Sequence, residues 1–145
     1  MNAAGFYTQE IRHGKVRKGF SWIRLDGRVG TLAHVDIKGR FKVGKYGVDI
    51  AGFEKAILPI LDIQKSDTEL FVIDEIGKME CFSDKFVSLV RLLFHSEKMV
   101  LATVAAKGVG LISEVKKKPN VKLFQLRHQK QEKVVAEIID LLSSC

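Results

Sequence analysis

Four consecutive apolar residues, Leu70 to Ile73, are followed directly by two carboxylic acids, Asp74 and Glu75. An unbroken apolar run of this length is typical of a strand that is buried on both faces of a sheet. Sheets of that kind are covered by helices and occur in α/β proteins. The run therefore predicts a parallel strand in an α/β domain, with two acids at the carboxyl end of that strand.

The second half of the chain alternates between strand and helix patterns. The segment Phe82–Phe94 is amphipathic, and Ser83 is placed to cap its first turn. Further strands are predicted at Val100–Val104 and Val121–Leu126, and further helices at Leu111–Lys117 and Glu132–Leu142. Strands that alternate with helices are joined by right-handed crossovers and form a parallel sheet.

The first half of the chain is rich in strand and turn signals. Aromatic and β-branched residues favour strands, and the stretch DGRVG, Asp26 to Gly30, indicates a turn. The predicted strands are Gly5–Thr8, Gly19–Leu25, Thr31–Ile37 and Lys42–Val48. A helix is expected to begin near Gly52, and Pro59 should bend it or loosen a turn. We therefore expect a β-hairpin extension followed by the α/β part, in one domain of 145 residues.

Composition limits the class of protein. Hydrophobic residues make up 46% of the chain, which is typical of soluble globular domains, and no run is long enough for a membrane helix. Two cysteines, Cys81 and Cys145, are too few for a disulfide framework, and no targeting segment is visible at the start, which favours the cytoplasm. The net charge of +7 attracts partners that carry phosphate.

The stretch GRFKVGKY, Gly39 to Tyr46, differs by one residue from a phosphate-binding P-loop, G-x-x-x-x-G-K-[ST]. A P-loop wraps phosphates with backbone N–H groups and needs small residues, whereas Arg, Phe, Lys and Val fill the middle of this stretch. The Tyr46 side chain is too long to bring a hydroxyl to Mg²⁺, and no helix pattern begins at Lys45. We therefore reject this stretch as a P-loop.

The two acids after Leu70–Ile73 give that strand the form of a Walker B motif. The aspartate of such a motif holds Mg²⁺ or a Mg²⁺-bound water, and an adjacent glutamate can orient and deprotonate the attacking water. Lys78 could contact phosphate or neutralise Glu75 or Glu80, and Thr103 could face the γ-phosphate or serve only as a turn residue. The simpler alternative is that the two acids merely cap the segment that follows.

Four longer stretches resemble the small P-loop nucleoside-triphosphatases: GFYTQEIRHGKVRKGF, LDGRVGTLAHV, VGKYGVDIAGFEKAILPIL and VIDEIGKMECFS. The resemblance runs from Gly5 to about Phe124. It implies a RecA-like P-loop NTPase fold with a mostly parallel sheet. It also implies a nucleoside-triphosphate substrate, with Mg²⁺-dependent hydrolysis of ATP, GTP and related nucleotides to diphosphate and phosphate.

The same resemblance assigns roles to particular residues. Asp74 matches the metal-binding residue and Glu75 the water activator. The residues that match the phosphate end of the site are Lys78, Glu80 and Thr103. The candidates to face the nucleotide from the hairpin side are Arg28, Lys45 and Tyr46.

The chain departs from the family pattern at its start. Members of the family carry a strand, a glycine-rich loop and a helix before GFYT, whereas four residues precede Gly5 here. The resemblance therefore implies a chain without the first β-loop-α unit and its Walker A motif. Because loss of one good donor can lower a rate by about 10²–10³, we expect impaired hydrolysis. We also expect unpaired sheet edges and self-association through them.

A second function stays open at this point. The chain could be a catalytically inactive paralogue whose basic surface holds nucleic acid or a partner protein. The cations of that surface are Arg12, Lys15, Arg17, Lys18, Lys42 and Lys45. We favour the enzyme over the nucleic-acid-binding protein, since the aromatic residues of the hairpin suit its own core. No membrane partner is expected.

Overall fold

The computed structural model describes residues 1–64, 67–127 and 130–144. Two compact units are present, Met1–Val115 and Lys116–Cys145. The strands in the described ranges are β1 (Ala3–His13), β2 (Val16–Arg24), β3 (Val29–His34), β4 (Lys42–Val43), β5 (Tyr46–Val48), β6 (Leu70–Ile76) and β7 (Met99–Val104). The α-helices there are α1 (Ile50–Ile57), α2 (Asp84–His95), α3 (Leu111–Lys116) and α4 (Gln131–Ser143).

The strands of the first unit form one mixed sheet in the order β4-β5-β3-β2-β1-β6-β7. Strand β1 joins the two halves of the sheet. From Phe6 to His13 it pairs antiparallel with β2, and its first residues, Ala3 to Phe6, pair in parallel with β6. Strands β6 and β7 are also parallel. The predicted α/β class with a β-hairpin extension is confirmed.

Gly5 allows β1 to lie directly against β6. Its φ is +147°, and a Cβ atom added to it would stand 1.9 Å from the carbonyl oxygen of Val72. Only glycine adopts this backbone conformation readily and leaves the space empty. The sequence assigned Gly5–Thr8 to the antiparallel region, so the parallel pairing of this strand with β6 is a finding of the structure.

Three phenylalanines form the centre of the core. Phe6 on β1 meets Phe53 on α1 and Phe86 on α2, with ring centroids 5.6 and 6.2 Å away, and the two helix rings are 5.3 Å apart. All three contacts are edge-to-face, the favoured arrangement for aromatic pairs. All three side chains are fully buried. The first strand and the two helices are therefore fixed to one another by one aromatic cluster.

The helix predicted near Gly52 begins at Ile50, because the Asp49 side chain caps it by accepting a hydrogen bond from the Gly52 amide at 3.0 Å. It ends at Ile57 and continues as a 3₁₀ turn, Leu58–Leu61, that contains Pro59. Proline has no N–H to donate to the helix, so the loosened turn occurs where the sequence indicated it.

Helix α2 has the cap that the sequence predicts. The Ser83 hydroxyl oxygen accepts a hydrogen bond from the Phe86 amide at 3.0 Å and donates one to the Glu54 carboxylate at 2.6 Å. Because Glu54 belongs to α1, this serine joins the two helices as well as capping one of them. The cap also fixes where the short connection from β6 to α2 ends.

The predicted strand Val121–Leu126 is wrong. Residues 121–127 have no regular secondary structure, and none of them pairs with a strand in the described parts of the chain. Leu123 and Leu126 are each 56% exposed. Strand propensity depends on a neighbouring strand and on burial against it, and this segment has neither.

The composition raised two questions, whether a helix could span a membrane and how the cysteines are placed. No helix in residues 1–64, 67–127 and 130–144 has the length and apolar character needed to cross a bilayer. Cys81 is a free, half-buried thiol, and burial raises its pKa to about 11. Cys145 lies outside the described residues.

Candidate active site

The acids predicted at the end of β6 lie beside a hydroxyl from β7. Because β6 and β7 are parallel neighbours, their carboxyl ends meet at one edge of the sheet, where α/β proteins bind ligands. The Thr103 hydroxyl donates a hydrogen bond to Asp74 Oδ1 at 2.6 Å. Both side chains are partly buried, and the Asp74–Glu75 peptide bond is cis. One oxygen of the Asp74 carboxylate is therefore held in place by the neighbouring strand.

Gly77 lies between the carboxyl groups of Glu75 and Glu80. A Cβ atom added to Gly77 would lie 3.0 Å from Glu75 Oε1 and 3.1 Å from Glu80 Oε1, so these oxygens flank the glycine. Sequence reasoning did not single out Gly77, although a glycine just after a strand that ends in acids is a signal of close approach. The missing side chain leaves room for both carboxyl groups.

The Glu75 carboxyl is half-buried, and its environment raises its pKa. Removal from water is the larger cause, and the negative charge of Asp74 adds to it. A carboxylate with a raised pKa accepts a proton more readily than a free glutamate does. Glu75 therefore has the electrostatic setting of a general base.

Glu80 is the most buried acid of the group, with 4% of its surface exposed. Its pKa is raised to about 8, mainly by burial; its own backbone N–H opposes the rise, and the charges of Glu75 and Asp74 contribute to it. The resemblance placed Glu80 at the phosphate end, but the structure encloses it in the 3₁₀ turn Glu80–Phe82. At neutral pH this carboxyl holds a proton.

The stability of the fold should depend on pH through Glu80. Its pKa is about 8 in the folded chain against an ordinary 4.5, so the folded state binds more protons between these values. The free energy of unfolding should therefore fall as pH rises from about 4.5 to 8. Urea titrations across this range should show the fall in the parent chain and in the exposed control Glu97→Gln. Glu80→Gln should make the fall clearly smaller, and an equal slope in all three would contradict the assignment.

Lys78 is exposed on the turn after β6. The sequence left open whether it neutralises Glu75 or Glu80 or contacts phosphate. Within the described residues, it forms no ion pair with either acid. Its ammonium group therefore faces solvent close in sequence to the acid cluster.

Three candidates on the hairpin side are not brought to the acids. Tyr46 is 7% exposed, and its hydroxyl oxygen accepts a hydrogen bond from Arg17 Nε at 2.9 Å. Along the sheet, β5 is four strands from β6, about 19 Å. This distance separates both Lys45 and Tyr46 from the acids. Arg28 is exposed on the β2–β3 turn, two to three strands from β6 or about 10–14 Å.

No group of three or more His, Cys, Asp or Glu side chains in the described ranges is arranged to hold a metal ion. Magnesium does not require such a group, since it is commonly held by one or two carboxylates together with water and substrate phosphates. Asp74, fixed by Thr103, fits that form of site. The arrangement can therefore take Mg²⁺ with a phosphate ligand, but it is no closed protein cage.

Comparison with known proteins shows the family of this chain. A family model described as NTPase matches residues 1–139. The nucleoside-triphosphatase THEP1 of Thermotoga maritima is 38% identical over 141 residues, covering 97% of this chain and 81% of that protein. The human cancer-related nucleoside-triphosphatase is 33% identical over 153 residues, covering 97% of this chain and 80% of that protein.

Two solved structures share the fold. The crystal structure of THEP1 from Aquifex aeolicus matches 97% of this chain and 84% of its own chain, with a TM-score of 0.87 and 32% identity. The solution structure of the human cancer-related protein matches 98% and 82%, with a TM-score of 0.79 and 32% identity. The fold is therefore that of the P-loop NTPases, and the chain belongs to the nucleoside-triphosphatase family.

Proposed function

We propose that this protein hydrolyses nucleoside triphosphates of the ATP and GTP type to diphosphate and phosphate, with Mg²⁺ as cofactor. The observation that carries the proposal is the Thr103–Asp74 hydrogen bond of 2.6 Å beside the half-buried Glu75, at the ligand-binding edge of parallel strands. The relatives named nucleoside-triphosphatases support it.

Asp74 is the residue that would hold the metal ion. Mg²⁺ held there would supply positive charge that neutralises the negative charge developing on the phosphate. Thr103 takes up one carboxylate oxygen and so limits rotation of the Asp74 side chain. This restraint lowers the entropy that must be lost when a ligand is bound.

Glu75 is the proposed general base. It orients a water molecule toward the γ-phosphate and accepts its proton as the new oxygen–phosphorus bond forms and the bond from the γ-phosphorus to the bridging oxygen breaks, which releases the diphosphate. Glu80, whose pKa is raised to about 8, is protonated below that pH and then adds no negative charge beside Glu75. Lys78, exposed on the following turn, is proposed to donate to a phosphate oxygen.

The 145 residues contain no glycine-rich G-x-x-x-x-G-K-[ST] loop. Catalysis of phosphoryl transfer depends almost entirely on positioning and on charge stabilisation, and such a loop supplies much of both. We therefore propose that the 145-residue chain by itself hydrolyses nucleotides slowly. It keeps Asp74, proposed to hold the metal ion, and Glu75, proposed to activate the water molecule.

Calorimetric titration with ATP and GTP, with and without Mg²⁺, tests the metal assignment. We expect Mg²⁺ to raise the affinity for the nucleotide. Asp74→Asn should reduce this Mg²⁺-dependent gain in affinity by at least about tenfold. The matched control is Asp36→Asn, whose side chain is 86% exposed and remote from β6. The proposal would be overturned by equal nucleotide affinities with and without Mg²⁺, or by equal effects of the two variants on that affinity.

A further inference from the structure

The positive charge of this chain is concentrated in two short segments. Residues 9–18 and 36–45 together carry eight Lys and Arg against two Asp and Glu, a net charge of +6 out of the chain's +7. The other 125 residues are therefore almost neutral in sum. We call these two segments the basic hairpin surface. Segregation of this kind creates a local field that attracts polyanions.

The topology brings both segments to one end of the sheet. Strands β1 and β3 run in the same direction because each is antiparallel to β2, and β5 runs opposite to β3. The β1–β2 turn and the β4–β5 turn therefore lie at the same end. Because β1 is parallel to β6, this is also the end that carries Asp74 and Glu75.

The first hairpin reaches beyond the strand that carries the acids. Phe6 pairs with Ile73, after which β1 continues to His13 while β6 stops at Ile76. The difference of four residues corresponds to about 13 Å of extended chain. The hairpin tip is therefore a projecting arm and not part of the packed core.

Contacts around Tyr46 join the two segments. The Arg17 guanidinium carbon lies 5.4 Å and the Lys45 ammonium nitrogen 5.5 Å from the centroid of its ring. The Glu10 carboxylate is paired with both Arg12 and Arg17. Within the described residues, the lysines of the surface, such as Lys15 and Lys42, form no ion pair. Their charges are therefore available to a ligand.

We propose that the basic hairpin surface binds the phosphate backbone of single-stranded nucleic acid. Five strands, from β4 to β1, span the surface, a width of about 19 Å. A strand with stacked bases, at about 3.4 Å per nucleotide, would place about five phosphates across that width. The proposal concerns a second ligand and goes beyond the hydrolysis of free nucleotides.

A stacked pair in the second segment favours a single strand over a duplex. The Arg40 guanidinium carbon lies 4.8 Å from the centroid of the Phe41 ring, and Arg40 is exposed. A guanidinium plane held on an aromatic ring offers its other face to a base. Only an unpaired base can turn out to stack there, because the bases of a duplex stack on one another.

The test measures fluorescence anisotropy of labelled oligonucleotides with the full chain. The probes are RNA and DNA single strands and a DNA duplex of about 20 nucleotides, titrated between about 50 and 200 mM KCl. We expect both single strands to bind more tightly than the duplex. The slope of log affinity against log salt should be about −3, as expected for four or five phosphate contacts at −0.7 each.

Two triple variants with the same net charge locate the surface. Lys15→Glu, Lys42→Glu and Lys45→Glu together should weaken single-strand binding by about 30-fold or more. The control combines Lys55→Glu, Lys85→Glu and Lys107→Glu, all exposed and outside the two segments. It should change affinity less than about threefold. Circular dichroism melts verify that both triple variants are folded.

Two single variants serve as further tests. One separates the contribution of base stacking from that of charge, and the other separates oligonucleotide binding from nucleotide hydrolysis. Arg40→Lys keeps the charge and should weaken single-strand binding about tenfold while leaving duplex binding unchanged. The Asp74→Asn variant should bind the oligonucleotides with the affinity of the parent chain, even where its affinity for Mg²⁺ and nucleotide is lower. Equal losses in the two triple variants, or preference for the duplex, would overturn the proposal. Binding to phosphatidylserine vesicles but not to oligonucleotides would overturn it as well.

Discussion

Glu75→Gln is expected to lower Mg²⁺-dependent phosphate release by about 10²–10⁴, the usual contribution of general acid–base catalysis. Glutamine keeps the shape of the side chain and can still contact a water molecule, but it cannot accept a proton from it. The half-buried setting that raises the Glu75 pKa makes the native group a stronger base than an exposed carboxylate. The substitution should therefore lower the rate of the chemical step.

Single-turnover release of labelled phosphate from ATP is the appropriate measurement, because we expect turnover by this chain to be slow. Calorimetry on the same variant should show Mg²⁺-ATP binding within about threefold of the parent, as for a group that acts mainly in the transition state. The exposed control Glu97→Gln should change neither quantity. Undiminished phosphate release by Glu75→Gln would remove Glu75 from the mechanism.

Phe6→Ala is expected to lower the free energy of unfolding by about 3–5 kcal/mol. Phe6 is fully buried and makes edge-to-face contacts with Phe53 on α1 and Phe86 on α2. Truncation leaves a cavity between the sheet and both helices, and it also removes two aromatic contacts. A loss of this size is a large part of the total stability of a typical domain.

Urea unfolding monitored by circular dichroism measures this effect as a shift of the midpoint at constant slope. The neighbouring variant Tyr7→Ala is the matched control, since Tyr7 lies on the same strand but is 36% exposed. It should cost about 1 kcal/mol. Equal midpoints for the two variants would show that the aromatic cluster does not hold β1 to the helices.

Local features of the sequence determined much of this fold. The unbroken run Leu70–Ile73 predicted the buried strand β6 with two acids at its carboxyl end, and the structure has it. Amphipathic spacing and Ser83 predicted α2 and its cap. The bulky residues of GRFKVGKY argued against a P-loop, and the structure places Lys45 in the turn between β4 and β5, with no helix beginning there. Each of these depends on residues close together in the chain.

The candidate site could be predicted only in part. Asp74, Glu75 and Thr103 were chosen because they follow apolar strands, and the parallel pairing of β6 with β7 places Thr103 against Asp74. The resemblance grouped Lys45 and Tyr46 with them, but the structure gives Tyr46 a packing role and leaves three strands between β5 and β6. Strand order is set by long-range pairing, which spacing along the chain does not encode.

Tertiary structure alone decided three further points. The start of β1 pairs in parallel with β6, which needs the empty space at Gly5 against Val72. Glu80 became a buried, protonated acid only because the turn after β6 closes over it. The segment Val121–Leu126 has strand composition but no regular secondary structure. In each case the outcome depends on which distant backbone or charge a residue meets, and a residue's own chemistry cannot specify that neighbour.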